Sequence, residues 1–307
     1  MKRLCLALAA ALCAVSIASC QPPQRPQFQP PPDLEYRPDV VFATVEGRDL
    51  HMDLIYPKQP PATPMPVVVW VHGGAWRAGS HKGAGQLVGL ARQGYFCASI
   101  EYRLTQVAIF PAQIFDCKGA LRYLRAHAQE YRLNPDKIGV WGGSAGGHLV
   151  ALLGTSGGVQ ELEGDVGGNL DQSSAVQCVV DFFGPSDMTT MIADRGARIL
   201  VDEKTGLTPE EALIGGKTEE HLDAAKAASP VTYVDRDDPP FLIVHGEVDK
   251  TVPIAQSEKL AKLLGEAGVD CTFVRVKNGG HGFRGDCDPT PQQINQTVLE
   301  FLGKHLK

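Results

Sequence analysis

Two hydrophobic periods take turns along this chain. Val40 to Val45 and Leu50 to Tyr56 alternate apolar with polar residues on either side of Glu46-Gly47-Arg48-Asp49, the pattern of an antiparallel hairpin at a sheet edge. Beyond it stand short, nearly unbroken apolar runs: Val67 to Val71, Tyr95 to Ile100, Lys137 to Trp141, Val176 to Phe183, Pro240 to Gly246 and Cys271 to Val276. Runs of this length, rich in β-branched and aromatic residues, read as strands buried on both faces. Between them the period lengthens. Ile114, Cys117, Leu121, Leu124, Ala128 and Tyr131 recur every three or four residues and place one apolar stripe on a long helix that Pro135 brings to an end. Ile254, Leu260, Leu263, Leu264 and Ala267 mark a second helix, and Ile294, Val298, Leu299 and Leu302 a terminal one. Strands alternating with helices of these lengths predict an α/β domain, a mostly parallel sheet covered by helices on both faces.

Two stretches break that rhythm. Thr155 to Ser174 is rich in glycine and acidic residues, but Glu161, Glu163, Asp165 and Asp171 lack EF-hand spacing, so it reads as a solvated loop. The segment from about 187 to 229 carries short helical patches, at Met188 to Leu200 and Pro209 to Leu213, between two sheet strands. It reads as a small cap inserted over the active site, and caps of this kind shape specificity.

The chemistry clusters where strands end. Gly142-Gly143-Ser144-Ala145-Gly146 follows the run Lys137 to Trp141 and precedes a helical stretch from His148 to Leu153. A serine on a sharp strand-to-helix turn needs neighbours without Cβ atoms, so Ser144 is the candidate nucleophile. A hydroxyl needs a base, and the base a carboxylate to fix its tautomer. Asp249 lies in the turn after Pro240 to Gly246, and His281 in the loop Asn278-Gly279-Gly280-His281-Gly282 after Cys271 to Val276. Val67 to Val71 ends in His72-Gly73-Gly74-Ala75-Trp76, where the amides of Gly74 and Ala75, with that of Ala145, are placed to hold a developing oxyanion. Trp76 is the one aromatic beside that loop; it is assigned to substrate binding, lining the pocket, with packing beneath the loop as the alternative. Asp116, Asp187 and Glu101 rank below Asp249 as partners of His281, and His72, His148 and His245 read as structural.

These residues carry a resemblance over nearly the whole chain from about Val40. With Glu101-Tyr102-Arg103-Leu104, Phe110-Pro111-Ala112 with Asp116, Phe183-Gly184-Pro185-Ser186-Asp187 and His245-Gly246, the sequence resembles bacterial α/β-hydrolases of the hormone-sensitive-lipase-like branch, most of all those grouped as acetylxylan or feruloyl esterases. Many relatives carry a third glycine after His-Gly-Gly. This chain has Ala75-Trp76, a form that also resembles kynurenine formamidases. The resemblance implies an α/β-hydrolase fold and acyl transfer to water without cofactor, on an ester of a small molecule or polysaccharide, with cleavage of a formamide or another amide on the same triad as the alternative. A catalytically idle binding module is a third reading, disfavoured by a complete serine, aspartate, histidine order. The narrow Ala75-Trp76 turn and a short cap of mixed polarity favour small acyl groups.

Composition narrows the setting. The chain has 307 residues, 43% of them hydrophobic, and a net charge of −6. That is enough for one large domain and unlike a nucleic-acid-binding surface. Met1-Lys2-Arg3 followed by the apolar stretch Leu4 to Ile17 is too short to span a bilayer and fits a secretory signal, residues 1–19. Its end, Ile17-Ala18-Ser19-Cys20, resembles the bacterial lipobox, which implies lipid attachment at Cys20 and an exported, membrane-anchored protein. Residues 20–38, crowded with proline and glutamine, read as a spacer. Five cysteines remain beyond Cys20, of which only Cys271 with Cys287 is a candidate disulfide; no Cys/His spacing suggests a metal.

Overall fold

The structure is a computed structural model and describes residues 28–196 and 201–307. Eight strands form one sheet: β1 (Leu34–Val45), β2 (Arg48–Pro57), β3 (Met65–Val71), β4 (Phe96–Ile100), β5 (Leu133–Gly143), β6 (Cys178–Phe182), β7 (Phe241–Gly246) and β8 (Cys271–Val276). Their spatial order is β1-β2-β4-β3-β5-β6-β7-β8. Strand β2 pairs antiparallel with β1 and β4, and every other pairing is parallel. The helices are α1 (Val88–Arg92), α2 (Ala112–Ala126), α3 (Ala128–Tyr131), α4 (Ala145–Thr155), α5 (Met191–Arg195), α6 (Pro209–Ile214), α7 (Leu222–Ala227), α8 (Ile254–Ala267) and α9 (Pro291–Leu306).

The unbroken apolar runs are explained by two cores. Val67, Val69 and Val71 point to the face covered by α2, α4 and α8, and Val68 and Trp70 to the face covered by α1 and α9. Phe241 and Ile243 alternate with Leu242 and Val244 in the same way. A strand buried on both faces carries few polar residues, and those it has, such as Asp181 and His245, are buried with it.

Element ends differ from the sequence reading for identifiable reasons. The hairpin turn is two residues, Glu46 and Gly47, both at positive φ (51° and 78°), so Arg48 and Asp49 already belong to β2. Strand β1 begins at Leu34, inside the stretch assigned to the spacer, because Leu34 to Arg37 pair with Pro57 to Leu54. The long helix is interrupted at His127. Its backbone leaves the helical region, and its Nδ1 bonds the Tyr123 carbonyl at 2.8 Å. Loop 155–174 is more than a solvated loop. Glu163 receives the Lys118 ammonium at 2.6 Å, the Arg122 guanidinium at 3.5 Å and the Ser174 hydroxyl at 2.7 Å, which pins the loop to α2.

Cys271 and Cys287 are free thiols. Cys287 adjoins Asp288, which pairs with Lys277 beyond the far end of β8. Lys277 is six extended residue steps from Cys271, about 20 Å of strand, too far for a disulfide. The signal segment, Cys20 and the first part of the spacer, to residue 27, lie outside the described residues. Among the described residues, no helix is long and apolar enough to cross a membrane.

Candidate active site

Strand β5 runs into α4 through Ser144, whose backbone sits at φ 58° and ψ −123°. For a residue with a Cβ this is a strained conformation, held only where the surroundings over-determine it. The glycines explain how. A Cβ at Gly142 would lie 2.4 Å from the Gly146 carbonyl oxygen, and one at Gly146 would lie 2.1 Å from that of Val71, so the turn closes against itself and against β3. The Ser144 amide donates to the Phe182 carbonyl at 2.8 Å, which fixes the turn from the β6 side.

The loop after β3 lies against this elbow. A Cβ at Gly73 would be 2.7 Å from the Gly143 oxygen and 3.4 Å from Ser144 Cβ. Gly74 (φ 116°), Ala75 (55°) and Trp76 (55°) turn in succession, and the Gly74 carbonyl accepts from the amides of Arg77 and Ala78, both at 3.0 Å. Among the described residues, the amides of Gly74 and Ala75 make no hydrogen bond of their own. Ala145 opens α4, so its N–H is one of the unpaired donors of a helix N-terminus. The three N–H groups are therefore free for an anionic oxygen beside Ser144.

Strands β7 and β8 deliver the other pair. His281 Nδ1 donates to Asp249 Oδ2 at 2.7 Å. Asp249 Oδ1 accepts from the amides of Thr251 (2.7 Å) and Val252 (3.1 Å). Its side chain is wholly buried, whereas that of His281 is 28% exposed. Burial by itself would raise the Asp249 carboxyl, but hydrogen bonds from His245 and His281, the charge of His281 and the Thr251 amide outweigh it. The group is held well below the usual carboxylate range. Phe183 bridges imidazole and elbow: its ring is centred 4.5 Å from that of His281 and lies 3.4 Å from the Cβ position of Gly143. Ser144 Oγ makes no hydrogen bond among the described residues, a looseness common in ligand-free sites that tightens when substrate binds.

The structural histidines carry more than bulk. His245 is fully buried; its Nε2 faces the Val252 carbonyl at 2.9 Å and Asp249 Oδ2 at 3.5 Å, and its Nδ1 meets the Ser257 hydroxyl at 2.7 Å. With two acceptors at Nε2, that nitrogen carries the proton and Ser257 donates to Nδ1. His148 accepts at Nδ1 from Trp76 Nε1 (3.2 Å) and donates from Nε2 to the Ala228 carbonyl (2.6 Å), and burial pushes it down to about 4. Trp76, assigned from the sequence to substrate binding, is 2% exposed and spends its one polar atom on His148. It packs beneath the oxyanion loop instead of lining an open wall. His72 stacks on Tyr102 at 4.2 Å, and the Tyr102 hydroxyl donates to the His72 carbonyl at 3.0 Å.

The lower-ranked acids are all engaged elsewhere. Asp116 takes a forked bond from Arg103, Asp187 binds Lys259 and Thr189, and Glu101 meets Arg48, His51 and His81. Asp39, Asp53 and His81 form the one cluster of metal-ligand type among the described residues. The Lys82 ammonium already sits on Asp39 and Asp53 at 2.7 and 3.0 Å, supplying the positive charge an ion would bring.

A mostly parallel sheet with β2 reversed, carrying a serine on a strand-to-helix elbow, defines an α/β-hydrolase fold. The chain belongs to the BD-FAE family, whose pattern matches residues 52–264. Esterase LipQ of Mycobacterium tuberculosis is 31% identical over 261 residues, covering 84% of this chain and 60% of LipQ. The chain spans 43% to 60% of the length of LipQ and two other mycobacterial relatives. Among solved structures, a truncated carbohydrate esterase from gut microbiota is similar with a TM-score of 0.76 and 33% identity, over 90% of this chain and 98% of that one. Propionate-bound esterase 2 of Thermogutta terrifontis gives 0.70 and 27%, over 89% and 94%.

Proposed function

We propose that this protein is a serine carboxylic ester hydrolase for short acyl groups. The observation that carries the reading is the 2.7 Å bond between His281 and a buried Asp249, on the same sheet edge as a serine held in a strained elbow. Ser144 Oγ attacks the acyl carbon while His281 Nε2 takes its proton, and Asp249 keeps the Nδ1 hydrogen in place. The amides of Gly74, Ala75 and Ala145 receive the oxyanion. His281 then protonates the leaving alcohol, and water repeats the sequence to release the acid.

Likeness to a carbohydrate esterase and to a propionate-bound esterase supports a small acyl group on a polysaccharide or similar alcohol. Phe183, whose ring is centred 4.5 Å from that of His281, narrows the space beside the imidazole and supports the same limit on acyl size. Acetyl esters are expected to exceed octanoyl esters in kcat/KM by about a hundredfold, roughly 1 kcal/mol for each methylene that does not fit. Ser144→Ala should lower kcat/KM at least about a thousandfold with the fold intact. The test is a panel of p-nitrophenyl esters, acetylated xylan, methyl ferulate and N-formylkynurenine. A fully active Ser144→Ala removes the mechanism, and a preference for N-formylkynurenine over every ester makes the protein a formamidase.

We propose separately, from the apolar stretch Leu4 to Ile17 and the ending Ile17-Ala18-Ser19-Cys20, that the protein is exported and anchored by lipid on Cys20. Cys20→Ser should release it from membranes or leave it unprocessed; an unmodified mature N-terminus elsewhere, seen by mass spectrometry, excludes the anchor.

A further inference from the structure

Arg195 ends α5 and Glu210 lies in the first turn of α6, both within the cap. Their side chains form a two-pronged ion pair, at 3.3 and 2.5 Å, and each is only 3% exposed. A buried pair of this kind is weak as a stabiliser, because desolvating two charges offsets most of their attraction and apolar side chains of similar size serve as well. The guanidinium has a third donor, and it leaves the cap. Arg195 Nε donates to the Thr251 carbonyl at 3.0 Å. That carbonyl belongs to the same peptide unit as the Val252 N–H, which donates to Asp249 Oδ1 at 3.1 Å. One peptide plane is thus held between a cation and the carboxylate that meets His281. Hydrogen bonds joined in such a chain polarise one another, so the charge on Arg195 strengthens the grip on Asp249.

We propose that Arg195 is a positioning residue for catalysis: oriented by Glu210, it locks the Thr251–Val252 peptide and through it the Asp249 carboxylate. The inference rests on Asp249 being the catalytic acid. It gives the cap a second task besides shaping the pocket, since moving α5 and α6 moves the clamp on the acid loop.

The experiment replaces the pair without stranding a charge. In the full chain, Arg195→Met with Glu210→Met should keep Tm within a few degrees of wild type and leave KM for p-nitrophenyl acetate within about twofold, while kcat falls about ten- to hundredfold, as expected when a reacting group is misplaced by a fraction of an ångström. Arg195→Lys, which keeps a charge against Glu210 but lacks the Nε donor, should show the same loss in kcat; it decides the matter if the double variant does not fold. Wild-type kcat in the variant that folds overturns the proposal, as does a rise in KM with kcat unchanged, which would place Arg195 on the substrate side. Asp249→Asn separates the two levels of argument. If it is nearly inactive while the cap variants are unimpaired, only the role of Arg195 is wrong; if Asp249→Asn is fully active, the acid itself is misassigned.

Discussion

Asp181 lies fully buried on β6, its Oδ1 accepting from the Gly184 amide at 2.9 Å and its Oδ2 without a partner among the described residues. Burial, only partly opposed by the Gly184 amide, pushes the carboxyl from 3.8 up to about 6. Between those values the folded protein keeps a proton that the unfolded chain has released. The stability this group contributes is therefore complete at low pH and is lost as pH rises through about 6. Asp181→Asn keeps the carbonyl that Gly184 needs and removes the titration. Its advantage over wild type should grow by about 2–2.5 kcal/mol between pH 4 and pH 8 in urea unfolding. A difference that does not change with pH contradicts it. At this scale the sequence was legible where a residue's role comes from its own turn. Ser144, Asp249 and His281 each follow a strand within a recognisable loop. Arg195, Tyr102 and His81 were illegible because the partners that give them a role lie 56, 30 and 42 residues away.

Glycines separate elements that tolerate change from those that do not. Gly265 sits on the exposed side of α8, and a Cβ there meets nothing within 4 Å. Gly265→Ala should raise stability by about 0.5–1 kcal/mol, by removing freedom from the unfolded chain, with activity unchanged. Gly146→Ala, whose methyl would meet the Val71 carbonyl at 2.1 Å, should unfold the elbow or the protein. Tm and acetyl-ester kcat of the two variants check the pair, and a stable, active Gly146→Ala would refute this account of the turn. Strands and helices were readable because each buried run must alternate between two cores. Their ends were not, since ends are set by events such as the His127 ring bonding the Tyr123 carbonyl.

At the scale of the molecule, the segment between β6 and β7 joins parts of the fold that are far apart in sequence. Ala228 reaches Trp76 through His148, Leu213 accepts from the Phe110 amide, Asp202 pairs with Arg77, and Arg195 holds the acid loop. Hydrophobic pattern marked an insertion but not these ties, because they join polar atoms in segments with no strong period. The free thiols have a consequence at this scale too. Cys97, Cys117, Cys178 and Cys287 are buried, Cys271 is half-buried, and burial pushes Cys178 and Cys271 up to about 12. A chromogenic disulfide reagent attacks thiolates it can reach, so the native protein should release colour from Cys271 slowly and from the four buried thiols only as the chain opens. Rapid labelling of Cys97 or Cys117 in native protein would contradict that. The four buried sulfurs are then an unfolding clock, each reporting when its part of the fold opens.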